Sequence, residues 1–230
     1  MDRWNRVGRV ALNRLTRCLS ASVGLVVFAF AGYLQLQADI GLSPWFSLNQ
    51  GLANISPLTY GQASLFTSAL FVCIDLLLRE PIGLGTILNA TVVGIFSDIF
   101  LATGLIPVQT KLQFQLPLLM LGILLSCVGQ YLYMKPALSC GPRDALLVAL
   151  GRRASKISIG KINLALITAA QILACLMGGP FGVGTFITIF CMGTFMDLVF
   201  RALRFEPRSL KHESLIQTIA ALRNAWRDPV

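Results

Sequence analysis

Residues 81–98 read PIGLGTILNATVVGIFSD, and 99 positions later residues 180–197 read PFGVGTFITIFCMGTFMD. Both copies follow P-x-G-x-G-T, seven residues, Gly, three residues and Asp. The shift places Pro81 on Pro180, Gly83 on Gly182, Gly85 on Gly184, Thr86 on Thr185, Gly94 on Gly193 and Asp98 on Asp197. Small, rigid and acidic residues recurring at fixed spacing mark an internal duplication. Each copy opens an apolar stretch, so the repeated unit is a glycine-entered helix.

The composition decides the solvent of these helices. The chain is 55% hydrophobic and 13% charged, where soluble domains carry about 25% charged residues, and its mean hydropathy is +0.72. Apolar runs of about 20 residues, the length that crosses about 30 Å of hydrocarbon, recur along the chain. Strand-like alternation in segments of about 10 residues is missing, which argues against a barrel. The expected class is an all-α polytopic membrane protein with spans near residues 18–37, 58–78, 84–104, 112–134, 159–177 and 183–203.

Working outward from the two motifs, the spans before them also match. At an offset of 98, Gly24 meets Gly122, Tyr33 meets Tyr131 and Leu34 meets Leu132. Between the first and second span of each copy lies a segment too polar and too broken to cross, ADIGLSPWFSLNQGLANISP and SCGPRDALLVALGRRASK. Pro44 matches Pro142, and each begins a half-helix of about 12 residues, about half the crossing length. Each repeat thus holds three spans and one half-helix. Three is odd, so the two repeats insert in opposite senses.

Charge gives a second view of the same topology. With the amino terminus inside, Arg79, the basic residues from Lys135 to Lys161 and the tail from Arg201 lie on the cytoplasmic side. Only Lys111 of the nineteen Lys and Arg falls outside, whereas half-helices that crossed fully would give eight spans and parallel repeats, with Arg79, Lys135 and Arg143 outside instead. The expected organisation is a basic cytoplasmic segment at 1–17, membrane repeats at 18–104 and 112–203, and a cytoplasmic tail at 204–230. Arg3, Arg6, Arg9, Arg14 and Arg17, with Trp4, suit a surface anchored on anionic lipid. In the tail, Leu215, Ile219, Leu222 and Trp226 recur at helical spacing among Lys211, Arg223 and Arg227, an amphipathic helix.

The net charge of +9 flanks the spans, where orientation signals sit, so nucleic acid is not an expected partner. The six cysteines, Cys18, Cys73, Cys127, Cys140, Cys175 and Cys191, lie mostly in apolar runs without a C-x-x-C pair. The single histidine, His212, is in the tail, which leaves no His-based metal or triad site within the spans. No G-x-x-x-x-G-K-[ST] phosphate loop occurs. Neither an enzyme nor a cofactor is expected.

The candidate site residues follow from the repeats. Asp98 and Asp197 lie about 21 Å along their helices at 1.5 Å per residue, and a carboxylate inside a span costs at least about 2.5 to 3.5 kcal/mol. Each is either a helix-to-helix hydrogen bond or cap, or a proton or cation site shared by the repeats. The G-x-G-T entries offer N–H groups with Thr86 or Thr185, for an anion or for close helix packing. Asn89 stands at the position of Thr188. At the half-helix starts, Trp45 either stacks on a solute or sits at the interface, Arg143 and Asp144 form an ion pair or gate, and Asn49 and Gln50 offer neutral hydrogen bonds. Their counterparts Leu147 and Val148 are apolar, so a pocket there would be lopsided.

These paired motifs, IGLSPW and SCGPRDAL each followed by a span, then P-I-G-L-G-T and P-F-G-V-G-T with Gly and Asp downstream, resemble the YczE/YyaS/YitT group of bacterial integral membrane proteins, YczE-like most closely. The resemblance covers about residues 37–203. In that group both half-helix motifs tend to read G-P-x-D. Gly141-Pro142-Arg143-Asp144 keeps it, whereas Ser43 and Phe46 replace Gly and Asp in the first copy. What the resemblance implies is the fold and a bacterial cytoplasmic membrane location; it names no substrate. Inverted repeats with broken helices are the architecture of secondary transporters. The expected function, by that analogy, is a transporter or exporter of a small solute by alternating access, with proton or cation coupling at the paired Asp residues. The alternative is a non-transporting scaffold or regulatory protein acting through a partner. Expected partners are the lipid bilayer and the solute, with a homodimer allowed.

Overall fold

A computed structural model describes residues 2–139, 141–154, 156–157, 159–205 and 213–227, the side chains of 2–7, 9–10, 159, 221–222 and 225–227 excepted. Cys140, Lys211 and His212, and the side chains of Arg3, Trp4, Arg6, Arg9, Leu222, Trp226 and Arg227, therefore lie outside the described residues. These residues form α1 (Asp2–Ala38), α2 (Pro44–Ile55), α3 (Tyr60–Leu77), α4 (Leu84–Thr103), α5 (Leu112–Met134), α6 (Pro142–Arg153), α7 (Ile159–Leu176), α8 (Val183–Ala202) and α9 (Leu215–Arg227).

Local chemistry fixes the boundaries. Pro44 and Pro142 start α2 and α6, the position where proline's preset φ helps and its missing N–H costs nothing. Thr59 and Gln62 form a reciprocal capping box at α3, with N–H to side-chain oxygen distances of 3.1 Å both ways. Ser214 and Gln217 repeat it at α9, at 3.0 and 3.2 Å. Gly104, at φ +56°, closes α4 in the left-handed conformation.

Among the described residues, five helices are long and apolar enough to cross a membrane: Ala11–Ala38, Tyr60–Leu77, Leu84–Thr103, Leu112–Met134 and Val183–Ala202. The sixth expected span falls on α7, an apolar helix whose searched part, Gly160–Leu176, is just below the length of those five. Both half-helices form with 12 residues each. No break separates the basic amino-terminal segment from the first span, since α1 is one helix of 37 residues.

The centre is the crossing of α1 and α5. A Cβ on Gly24 would stand 2.5 Å from Tyr133 N, one on Gly129 2.8 Å from Phe28 N, and one on Gly122 3.0 Å from Ala31 O. Rising numbers in α1 meet falling numbers in α5, so the two are antiparallel. Small residues permit this approach, the usual device of helices packed in lipid. Gln35 donates to Ser126 at 3.0 Å inside the contact. Around it, Leu25, Phe28, Leu42, Phe46, Val93 and Tyr133 form one buried cluster, and Ala38, Leu119 and Ile123 another.

The connections carry the half-helices back inward. Gly41 N–H and carbonyl lie against the α8 entry, where Gly184 N donates to Ile40 O at 2.6 Å. At the matched place, Thr86 N donates to Ser139 Oγ at 2.8 Å. Gly41 has φ +112°, and a Cβ there would stand 2.7 Å from Thr185 Oγ1, so only glycine fits.

Candidate functional site

From these two re-entering connections, α2 and α6 start in the interior and run outward to opposite ends. At one end Asn54 of α2 donates to Gly178 O at 2.7 Å. At the other Arg153 of α6 donates to Leu78 O at 2.6 Å. Their amino-terminal ends meet around Phe28, where the Arg143 guanidinium sits 5.4 Å from the ring centre. Neither start is capped by a side chain, so two positive helix-dipole ends face the same interior space.

That space is a cavity of about 400 Å³ lined by Phe28, Gln35, Trp45, Phe46, Ser126, Gln130, Arg143, Asp144 and Leu147, and by Asn163, Thr188, Met192 and Gly193 of α7 and α8. A smaller space of about 50 Å³ adjoins it beneath α3, where Asn49, Ser64, Thr67, Ser68, Phe71 and Asn89 join Trp45 and Arg143. Gln35 Oε1 and Gln130 Oε1 have no hydrogen-bond partner among the described residues. Buried acceptors of that kind are costly unless something donates to them.

Most of the sequence-derived site residues gather here, and each has a definite neighbour. Trp45, half-buried, packs edge-on to Phe71 at 5.5 Å and lines both spaces. Asn49 Oδ1 accepts from Thr67 at 2.7 Å. Gln50, by contrast, donates to Asn54 at 2.8 Å on the exposed side of α2. Arg143 and Asp144 approach to 4.0 Å, and Tyr133 OH bridges Asp144 at 3.3 Å and Gly141 N at 2.7 Å. Asn89 lies beside Gly141, and Thr188 donates to Gly184 O at 2.8 Å.

The G-x-G-T entries lie elsewhere, against the re-entering connections. Gly83 and Gly85 press on Leu138 and Ser139, and Gly182 and Gly184 on Ile40 and Gly41. Thr86 N is taken by Ser139, and Gly184 N by Ile40. Thr86 and Thr185 turn their hydroxyls back to the N–H of Gly83 and Gly182, at 3.4 and 3.3 Å. Gly83, Thr86, Gly182, Gly184 and Thr185 thus have their N–H groups held by protein, which favours the packing role of these entries.

Asp98 and Asp197 are not brought together, and their surroundings differ. Asp98 accepts from Gly61 N at 2.6 Å and from the Thr59 hydroxyl, which places its carboxylate on the amino-terminal end of α3. A Cβ on Gly94 would stand 2.8 Å from Gly61 O, so α3 and α4 cross in close contact. A Cβ on either of the matching glycines of α7 and α8, Gly160 and Gly193, would meet no other described part of the chain within 4 Å. Asp197 is exposed on α8 and pairs with no described residue. Thus α3 packs on α4, while α7 packs on α2 and α6 without comparable contact to α8. The large cavity opens between those two helices.

Sequence reasoning passed over Asp75. It is fully buried in α3, and neither carboxylate oxygen has a partner among the described residues. It sits close to the basic turn at the span's end, and Ala174 stands at the position matched by the 99-residue shift, so the paired motifs do not point to it. The signal available was an acid inside the apolar run FVCIDLLL. No group of three or more metal-ligating side chains is present among the described residues.

The helices and the interior half-helix starts define a polytopic helical membrane protein. Residues 15–201 match the model of a family of unknown function (DUF6198), and the chain belongs to that family. It is 29% identical over 181 residues to an uncharacterized protein of Haemophilus influenzae, covering 77% of this chain and 82% of that one. With the uncharacterized membrane protein YczE of Bacillus subtilis it shares 28% identity over 172 residues, 74% and 79% of the two chains. With the uncharacterized protein YyaS of Bacillus subtilis it shares 29% over 182 residues, 77% and 89% of the two. No solved structure matches.

Proposed function

We propose that this chain is a secondary transporter or exporter of a small solute, built from two inverted repeats with six crossing segments and working by alternating access. One observation carries the reading: two crossings that the sequence makes equivalent are in opposite states. Gly61, Gly94 and Asp98 hold α3 against α4, while Gly160, Gly193 and Asp197 leave α7 apart from α8. The cavity between the half-helix starts opens on the separated side. Exchanging the two states would close α7 on α8 and release α3 from α4. The antiparallel α1–α5 crossing supports repeats of opposite sense, as in known transporter architectures. In this reading Asp98 and Asp197 are alternate latches, each capping the helix it grips, and the half-helix starts with Arg143, Gln35 and Gln130 bind the solute.

Disulfide trapping tests it. A Cβ on Gly94 stands 3.8 Å from Leu65 Cβ, within the span a disulfide bridges, and the matched pair is Leu164 with Gly193. In a cysteine-free background, Leu65→Cys/Gly94→Cys and Leu164→Cys/Gly193→Cys are both expected to cross-link in native membranes. Either cross-link should arrest flux of whichever solute a proteoliposome screen identifies. Failure of the second pair to cross-link under any condition removes the second state. Absence of flux for every solute under every imposed ion gradient favours the scaffold reading.

A further inference from the structure

We propose that Asp75 is a proton-binding site, reached from the basic end of the bundle. The placement carries the inference. Asp75 lies at helical spacing below Ser64, Ser68 and Phe71, which line the small cavity under the half-helix starts. Its own carbonyl accepts the Glu80 N–H at 2.9 Å, and Glu80 in turn holds Arg152 at 3.1 Å and Arg153 at 3.8 Å. The carboxyl therefore stands between the interior cavity and a charged turn at the surface.

The groups able to neutralise Asp75 are few. Helix α3 packs on α2, α4 and α6. Of these, α2 carries no titratable side chain, α4 carries only Asp98 at its far end, and α6 carries Arg143, Asp144, Arg152 and Arg153. None of those arginines, nor the exposed Arg79 four residues further along the chain, forms an ion pair with Asp75; Arg152 and Arg153 are engaged with Glu80. A fully buried carboxylate without donor or cation is uncompensated. Binding one proton, taken from water at the Glu80 turn, converts COO⁻ to neutral COOH. Releasing that proton requires the flank of α3 to become wet, so occupancy of Asp75 is tied to movement of α3. The coupling consequence rests on the transport reading and names its ion; the proton site itself does not.

Infrared difference spectroscopy tests it without a solute. Protein in bilayers is titrated from about pH 4 to about pH 9, the range of carboxyl and histidine groups, and the carbonyl stretch of a protonated buried carboxyl is followed with and without ¹³C-aspartate. A label-sensitive, pH-dependent band is expected in the wild type, in Asp98→Asn and in Asp197→Asn, and is expected to vanish in Asp75→Asn. Persistence of the band in Asp75→Asn, or its absence from the wild type, overturns the proposal. Should Asp75→Asn fail to accumulate, Asp75→Glu decides: a ¹³C-glutamate-sensitive band absent from the wild type supports the site, and its absence overturns it. A band accompanied by no solute flux in any assay would end the transport reading and leave the proton site standing.

Discussion

Gly61 and Gly160, matched by the 99-residue shift, differ in the room left for a single methyl group. A Cβ there would strike the Gly94 carbonyl and the Asp98 carboxyl, whereas one on Gly160 meets open space. Gly61→Ala is therefore expected to destabilise by about 1 to 3 kcal/mol through overpacking. Gly160→Ala is expected to leave stability level or raise it by up to about 1 kcal/mol, the helix-propensity difference. Thermal unfolding of the purified protein in detergent compares them, and an equal loss in both would sink the idea of unlike crossings. Asp98→Asn should cost about 1 kcal/mol through the weakened cap on α3, and Asp197→Asn close to none. The matched motifs made Asp98 and Asp197 visible in the sequence, and they also made them look alike. Whether a carboxylate finds its helix end depends on how two helices approach, which a residue string does not contain. Asp75 escaped for a related reason: with Ala174 as its counterpart, no symmetry drew attention to it.

Helices were the most legible elements, because apolar length and flanking prolines mark them directly. Their bounds needed little correction except in α1, which runs unbroken from Asp2 through the basic segment to Ala38, and the half-helices follow from Pro44 and Pro142. The tail required more than periodicity. Helix α9 forms with Ile216 and Ile219 exposed and Thr218 buried, and Glu213, two residues before its start, is gripped by Arg14 and, at 2.9 Å, by Arg17. Arg17 also donates to Pro136 O at 2.9 Å, so the amino-terminal helix, the α5–α6 connection and the tail are tied at one point. Two of the arginines read as lipid anchors are thus committed to a carboxylate. Burial alone would raise the Glu213 carboxyl, but hydrogen bonds from Arg14, Thr218 and Arg17 outweigh it and hold it below its usual value of 4.5. A carboxyl depressed in the folded state contributes stability above its unfolded value and loses it as pH falls through the folded one. Tail docking is therefore expected to hold at neutral pH and to weaken only below about pH 4.5. Limited proteolysis after residue 205 across that range checks it: cleavage should rise on acidification in the wild type and be pH-independent and already high in Glu213→Gln. A flat wild-type profile would show that the clasp does not hold the tail.

For the molecule as a whole, the connections sort charge to one end. The α3–α4 turn, the end of α5, the outer end of α6 and the tail meet where Arg14 and Arg17 bind Glu213 and where Arg152 and Arg153 bind Glu80. The opposite end gathers the end of α1, the end of α2 and the α7–α8 turn, through Gln109 N to Gln37 O at 2.8 Å and Asn54 to Gly178 O at 2.7 Å. Lys111 is the one cation in that second group of connections. Cytoplasmic ends collect Lys and Arg, so the Glu80 and Glu213 end should face the cytoplasm and Asn54 and Gln109 the outside. Asn54→Cys and Gln109→Cys, each introduced singly in a cysteine-free chain, are expected to react with a membrane-impermeant maleimide in intact cells. A cysteine at Arg79 should react only after the cells are opened. The same three positions also test the half-helices. If α2 crossed the bilayer fully, Asn54 would share the compartment of Arg14 and stay unlabelled until lysis, and the shared interior cavity would no longer lie between two oppositely directed half-helices.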